Sequence, residues 1–426
     1  MKKVWLFLFF LPILVYGAEV EVDHLMDSLI ESSDKWELSQ TLLSDKYPGI
    51  FRSTDQSNNR LRYGYEQPQK LAFLKYLICE LVVDFKDGKA AEYTIGLYNR
   101  GDAGVIKKDF FDQVVKDVNM KLQEYAGDIQ PTVEHLTLTG GTQQFIRTWV
   151  TPQADYQLRY ALSNQSIPEF CMFVVYPSGK APQNARQALK PKSAYRNLKA
   201  NIQTDQAGNR FMLLPMVDQG AKGYCVAAVL ERVMSYYGAE FDQHTMAQIS
   251  ETSAMYGTNL EKAIDRLDSI KKRLNLRITT FYRFWAFEKG GKDLYEFVLA
   301  YNRASSVTGQ RPINLDGGMI SLDQFQYPTF ILARQTDRSA RQKFISTIRQ
   351  SINQGVPLCW AVMLFPDSPE NAGAGGHLRI ISGLSRDGKT IIYTDTWGAG
   401  HEKKFMAADH AFGITMRLFS VAPALK

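Results

Sequence analysis

The chain has 426 residues, of which 45% are hydrophobic, 12% aromatic and 22% charged. That composition excludes a fibrous, low-complexity or disordered chain, and the length favours two domains over one. The formal charge of +6 is mild, and basic residues are interleaved with acids, as in "EKAIDRLDSIKKRLNLR". Such a run reads as a solvated helix face, which argues against a nucleic-acid partner or a lipid-binding patch.

The first residues, "MKKVWLFLFFLPILVYGAEVEV", carry two lysines, an apolar stretch from Val4 to Tyr16, then small residues before an acidic stretch. This layout predicts a secretory signal peptide over residues 1–18, cleaved near Gly17 or Ala18. The apolar stretch is shorter than the roughly 20 residues a membrane span needs. No later segment is long and apolar enough to span, so the expected product is exported, secreted or periplasmic, with no stable membrane span after cleavage.

Residues 19–176 read as a small α+β domain. A helix is expected within "VDHLMDSLIESSDKWELSQTLL". Asp87-Gly88 is a hairpin turn between two β-rich segments, and "KKDFFDQVVKDVNMKLQEYAG" has helical spacing with Gly127 as its C-cap. Strand-like runs follow in "VEHLTLTG", "QQFIRTWVTP", "DYQLRYALSN" and "FCMFVVYP". Residues 177–208 are rich in Pro, Gly, Asn and Lys and read as a linker. Over 209–426 the expectation is helices first and an antiparallel sheet last. The helices include "NLEKAIDRLDSIKKRLN", "KDLYEFVLAYNRAS" and "RSARQKFISTIRQSINQG"; the strands are "VPLCWAVMLF", "HLRIISGLS" and "TIIYTDTWG".

Four cysteines are present, with neither a CxxC pair nor a metal-ligand spacing, so no metal and no cofactor is expected. Cys79 and Cys171 lie in strand-like runs, either paired or as buried thiols, and Cys359 lies in an apolar run as a core residue. Cys225 differs. From Val226 the apolar positions 226, 229, 230, 233 and 237 follow helical spacing, and Gly220 and Gly223 mark a turn just before it. Cys225 therefore falls on the first turn of a buried helix, where unpaired N–H groups and the helix dipole favour a thiolate.

A nucleophile needs a base and a group to orient it. Of six histidines, His24, His135 and His244 occupy ordinary helix, strand or surface contexts, and His401 and His410 lie in polar stretches. His377 begins a strand after the Gly/Ala-rich "NAGAGG". If the chain turns near Asp387-Gly388, residue 377 lies close to 395–398 on the next strand, and Asp395 comes within reach of His377. A carboxylate there orients the imidazole and stabilises the imidazolium.

"QGAKGYC" and "DTWG" resemble the papain-like cysteine peptidases, in the double-glycine (bacteriocin-processing) branch, over about residues 205–426. The order Cys, His, then Asp or Asn is that family's, and Asp395-Thr396-Trp397-Gly398 parallels its Asn-Ser-Trp-Gly. Gln219, six residues before Cys225, matches its oxyanion-hole glutamine. The resemblance implies a papain-like peptidase domain, so the expected fold class is α+β, that domain preceded by the smaller α+β domain read above. It also implies catalysis by Cys225, His377 and Asp395, and an oxyanion site built from the Gln219 amide and the Cys225 N–H. Trp397 would cover the His377–Asp395 hydrogen bond. The expected activity is hydrolysis of peptide or protein substrates through an acyl-thioenzyme, with the N-terminal domain recruiting substrate or acting as a pro-segment. A transglutaminase-like acyltransferase or amidase, and a catalytically silent binding protein of peptidase-like fold, are the alternatives. The helical insert over 239–350 and the loop before His377 leave cleavage specificity open.

Overall fold

The computed structural model describes residues 29–54, 59–64, 67, 69–137, 141–182, 190–220, 224–239, 246–247, 259–284, 286, 291–314, 320, 324–369 and 375–424. The signal-peptide expectation, His24 and His244 lie outside these residues. The chain divides into two compact units, residues 1–52 with 59–181, and residues 53–58 with 182–426.

In the first unit an antiparallel sheet includes β1 (Arg60–Gly64), β2 (Glu80–Lys86), β3 (Lys89–Asn99), β4 (Thr132–Thr137), β5 (Gln143–Val150), β6 (Asp155–Leu162) and β7 (Pro168–Tyr176). Their order across the sheet is β1-β2-β3-β7-β6-β5-β4. Lys86 pairs with Lys89 across Asp87-Gly88, both at positive φ (53° and 79°), which is the backbone of a tight two-residue hairpin. Helix α1 (Lys108–Ala126) buries Phe111, Val114, Val118, Leu122 and Ala126, one stripe at helical spacing. That stripe joins Tyr93, Ile95, Leu158 and Phe173 in the unit's core.

In the second unit a 3-10 turn (Tyr195–Asn201) leads into β8 (Ile202–Thr204) and β9 (Arg210–Met212), then α2 (Cys225–Tyr236), α3 (Leu260–Ile270) and β10 (Leu276–Arg283). Helices α4 (Gly291–Thr308), α5 (Tyr327–Gln335) and α6 (Arg338–Asn353) follow. The remainder is β11 (Leu358–Leu364), β12 (Gly375–Leu384), β13 (Thr390–Thr394), β14 (Lys404–Ala407), α7 (Ala408–Ile414) and β15 (Thr415–Pro423). The antiparallel sheet runs β8-β9-β12-β11-β15-β10, with β13 on β12 and β14 on β13. Mixed α+β structure with antiparallel sheets is therefore present, but helices first and sheet last is too simple. β9 lies before α2. β10 lies among the helices and pairs with the final strand, from Leu276↔Pro423 to Arg283↔Arg417. Its mixed side chains, Arg277, Thr279, Thr280 and Tyr282, give no clean alternation, and only a partner far along the chain makes it a strand.

Strand β12 works on two faces, because successive strand residues point oppositely. Leu378 and Ile380 pack with Val226, Val229, Leu230 and Val233 of α2, whose body is nearly all buried. Ile381 and Leu384 pack on the other side with Phe344, Ile348 and Ile352 of α6 and with Trp360. Helix α6 is capped at its start by the Asp337 side chain, which accepts from Ala340 N, and at its end by Gly355 at φ +73°. Gly355 N donates to the Ile352 carbonyl and Val356 N to the Ser351 carbonyl, a paired closure that frees the chain to enter β11.

A Cβ at Gly355 would stand 2.1 Å from the Leu198 carbonyl oxygen, whereas one at Gly309, at nearly the same φ (+72°), would meet nothing within 4 Å. An L-residue in this conformation costs about 1–2 kcal/mol by itself. Gly309→Ala should lose about that much stability in urea unfolding, and Gly355→Ala clearly more; equal losses would mean the close approach to Leu198 is absent.

Candidate functional site

Cys225 is the first residue of α2 and is partly exposed, behind the buried Tyr224. The first-turn N–H groups of a helix have no intrahelical acceptor, so the thiol sits where negative charge is favoured. The apolar body of α2 holds this end still by burial on the sheet. Gly223, part of the turn expected before it, lies outside the described residues, while Gly220 is at φ +66°.

Gln219 is buried, 8% exposed, and fastened twice to one residue. Its backbone N donates to the Thr396 carbonyl at 2.9 Å, and its side-chain Oε1 accepts from the Thr396 hydroxyl. With Oε1 turned to Thr396, the orientation of the amide group is fixed. Asp218 supports the same turn by accepting from Gly220 N at 2.8 Å.

His377 lies on β12, paired with Val362 of β11, and Asp395 directly follows the end of β13. The register Ile380↔Thr394 brings the two together at one end of the sheet. His377 Nε2 and Asp395 Oδ1 are 2.6 Å apart, with both side chains buried. Cys225 acts on the same imidazole as a neighbouring polar group that favours its protonated form. Nε2 is engaged by Asp395, so Nδ1 is the ring nitrogen that can meet the sulfur. Burial is the largest influence on this imidazole and opposes its charge, but the hydrogen bond to Asp395 and the neighbouring Cys225, with the charges of both, outweigh it and raise its pKa to about 9.

Asp395 is 1% exposed, so its ionised form needs donors. Thr396 N donates to Oδ1 at 2.8 Å and Arg379 Nε donates to Oδ2 at 2.7 Å. Burial pushes the carboxyl pKa up, yet His377, Arg379 and Thr396 N together hold it below the ordinary aspartate value. Trp397, 36% exposed, stacks on the His377 ring with centroids 4.7 Å apart and planes at 20°. Its indole also lies 5.5 Å from the Arg379 guanidinium carbon.

Sequence reading missed Thr396, Arg379 and Arg232. Arg379 lies two residues after His377 and so shares its face of the strand, the one signal that pointed to it. Arg232 stands seven residues after Cys225, two turns along the same side of α2. It is fully buried and donates to the Pro215 carbonyl (2.7 Å), the Asp395 carbonyl (2.6 Å) and the Thr394 hydroxyl (2.6 Å). Burial lowers its pKa to about 10, against the opposing charges of Asp395, Glu402 and Glu231.

The histidines and cysteines that the sequence set aside lie apart from this cluster or at its rim. His135 stacks on Phe145 in the first unit and His410 meets Tyr327 edge-on. His401 belongs to the rim: its carbonyl accepts from Asp395 N and its ring meets Trp397 edge-on. Cys79, Cys171 and Cys359 are buried free thiols, and burial pushes those of Cys171 and Cys359 up to about 12. Among the described residues no group of His, Cys, Asp and Glu is arranged to hold a metal ion, and no helix is long and apolar enough to cross a membrane.

The arrangement couples a partly exposed thiol, an imidazole and a buried carboxylate, the parts needed for nucleophilic attack with proton transfer. Residues 211–413 match the model of the Peptidase_C39 like family. No curated protein matches the chain.

The folded state binds the His377 proton more tightly than the unfolded chain, whose histidine titrates near 6.5. The stability this contributes is complete below that pH and is lost as pH rises through about 9. Urea unfolding should therefore weaken between those limits, by roughly 3 kcal/mol at most, and His377→Gln should lack the step. An unchanged step in that variant would assign the titration elsewhere.

Proposed function

We propose, on the premise that the chain belongs through residues 211–413 to the Peptidase_C39 like family, that it is an exported cysteine peptidase acting through Cys225, His377 and Asp395. The family itself points to a cysteine peptidase. The observation that carries the finer reading is the 2.6 Å pairing of His377 Nε2 with the buried Asp395 carboxylate, with Cys225 as the second neighbour that raises the pKa of the same imidazole.

In this reading the Cys225 sulfur attacks the carbonyl carbon of a peptide bond, with its proton already on His377 Nδ1. The C–N bond breaks as Nδ1 gives that proton to the leaving amine, and a thioester remains on Cys225. Water then attacks the thioester carbonyl, and Nδ1 takes one of its protons. Breakdown of that intermediate expels Cys225 as thiolate, releases the acid product, and restores the thiolate–imidazolium pair. Asp395 holds Nε2–H throughout and so keeps Nδ1 facing the sulfur. The oxyanion at each tetrahedral stage needs donors where the charge appears. The Cys225 N–H and the Gln219 amide NH2 are assigned that task, and the Thr396 hydroxyl supports the Gln219 assignment by donating to Oε1 and so fixing its amide. Trp397, lying over His377, screens the imidazole from water.

Iodoacetamide treatment of the native protein should label Cys225 first, with Cys79, Cys171 and Cys359 reacting only on denaturation. Digestion of a peptide library should fall by at least about 10³-fold in Cys225→Ala and in His377→Ala. Equal labelling of all four thiols, or library cleavage that persists in Cys225→Ala, would sink the assignment. Acyl transfer to an amine without peptide cleavage would instead select a transglutaminase-like activity. Export predicts a mature N-terminus at Ala18 or Glu19 in N-terminal sequencing of secreted or periplasmic protein; a start at Met1 in that fraction would refute cleavage there.

A further inference from the structure

We infer that Arg232 and Arg379 are paired positioning residues that clamp Asp395 from its two ends, Arg232 through the main-chain carbonyl and Arg379 through the carboxylate. This rests on the peptidase reading above. The two hold different degrees of freedom. Arg379 Nε takes Oδ2 at 2.7 Å, which leaves Oδ1 turned toward His377 Nε2. Its guanidinium is kept in that direction by aromatic walls, with Tyr393 at 5.1 Å, Trp397 at 5.5 Å and Trp360 at 5.9 Å from the guanidinium carbon. Rotation of the carboxylate would break that bond and the 2.6 Å contact with His377 together.

Arg232 controls position rather than rotation. Its three donated bonds reach Pro215, just before the Gln219 turn, and Thr394 and Asp395, at the end of β13. Its own backbone belongs to α2, which begins at Cys225. One buried side chain therefore ties the segments carrying the thiol, the oxyanion donor and the carboxylate. A guanidinium fits because its planar fork directs several donors at once, which an ammonium on a flexible stem does not.

Among the described residues, His377 and Arg379 of β12 act on Asp395 directly, Glu231 and Glu402 act on Arg232, and Lys404 and Glu402 act on His401. Among the described residues His377 is the group that both Asp395 and Cys225 act on, so misplacing Asp395 is read out at the sulfur through the imidazole.

The test compares the rate of Cys225 alkylation by iodoacetamide at pH 6 and pH 9.5 in the full chain. It uses wild type, Arg379→Met, Arg232→Met and, as control, Arg417→Met, each confirmed folded by circular dichroism. Arg417 bonds Glu261 and Thr280 rather than Asp395, so its loss reports the cost of removing a well-buried arginine from the same sheet. A thiolate held by an imidazolium reacts at pH 6, whereas an ordinary thiol with pKa near 8.5 is almost wholly protonated there. The pH 6 to pH 9.5 rate ratio should fall at least about tenfold in both clamp variants and stay within about twofold of wild type in Arg417→Met. A wild-type ratio in both clamp variants would overturn the inference, and so would an equal fall in the control. If Arg232→Met does not fold, Arg232→Lys, which reaches fewer acceptors, should give an intermediate ratio, and a wild-type ratio there would refute the Arg232 half. A wild-type protein whose Cys225 behaves as an ordinary thiol would instead defeat the peptidase reading itself.

Discussion

Everything at the candidate site depends on keeping one carboxylate ionised where water does not reach it. Burying an isolated carboxylate costs several kcal/mol even after relaxation. Asp395 avoids that outcome by accepting from His377, Thr396 N and Arg379, while its own backbone N–H donates to the His401 carbonyl and its carbonyl accepts from Arg232. Every polar group of the residue is thus engaged, by β12, α2 and the turn that closes at His401. These partners are fixed by packing rather than by reach alone, so the carboxylate has one orientation available.

Strand β12 is what joins this electrostatics to the fold. Its alternation sends His377 and Arg379 to one face and Leu378 and Ile380 to the other, where they pack on the helix that begins at Cys225. The hydrophobic contact that seats the helix and the polar contact that orients the imidazole are therefore made by adjacent residues of one strand. A one-residue slip in register would reverse both, which is why the antiparallel pairing with β11, from Leu358↔Ile381 to Leu364↔Gly375, bears on chemistry as well as stability.

What could be read from sequence was what local pattern controls. The start of α2 at Cys225, the hairpin that returns Asp395 to His377, and the Gly355 stop of α6 each follow from spacing and turn chemistry over a few residues. β10 was not legible in the same way, because it is made a strand by β15, across more than a hundred intervening residues. The two arginines were hidden for a different reason. In "AAVLERVMSYY" the Glu231-Arg232 pair looks like a solvated patch, and only its isolation in an otherwise apolar helix hints that the face is buried. Arg379, in "HLRIISG", reads as an outward strand residue until the strand's two covered faces are known. Gln219 was identifiable by its distance from Cys225, but its anchor, Thr396, became visible only when two remote turns met.

The energetics of these arginines explain why such residues matter beyond stability. Replacing a buried ion pair by well-packed apolar groups is often neutral or stabilising, so the Asp395–Arg379 pair is a poor source of net folding free energy. Among the described residues Arg232 has no carboxylate directly bonded to its guanidinium and relies on two carbonyls and a hydroxyl, a still weaker return for a fully buried cation. What both supply is direction, since a guanidinium fork satisfies acceptors only within a narrow range of geometry. An apolar replacement could fill the same volume, but it would leave the Asp395 carboxylate one donor short and its rotation unconstrained. The His377 ring, gripped on one nitrogen by that carboxylate and covered on one face by Trp397, would then lose the fixed aim of Nδ1 at the sulfur. On the clamp reading, the two buried cations are retained at a cost in stability because the reacting geometry depends on the carboxylate they hold.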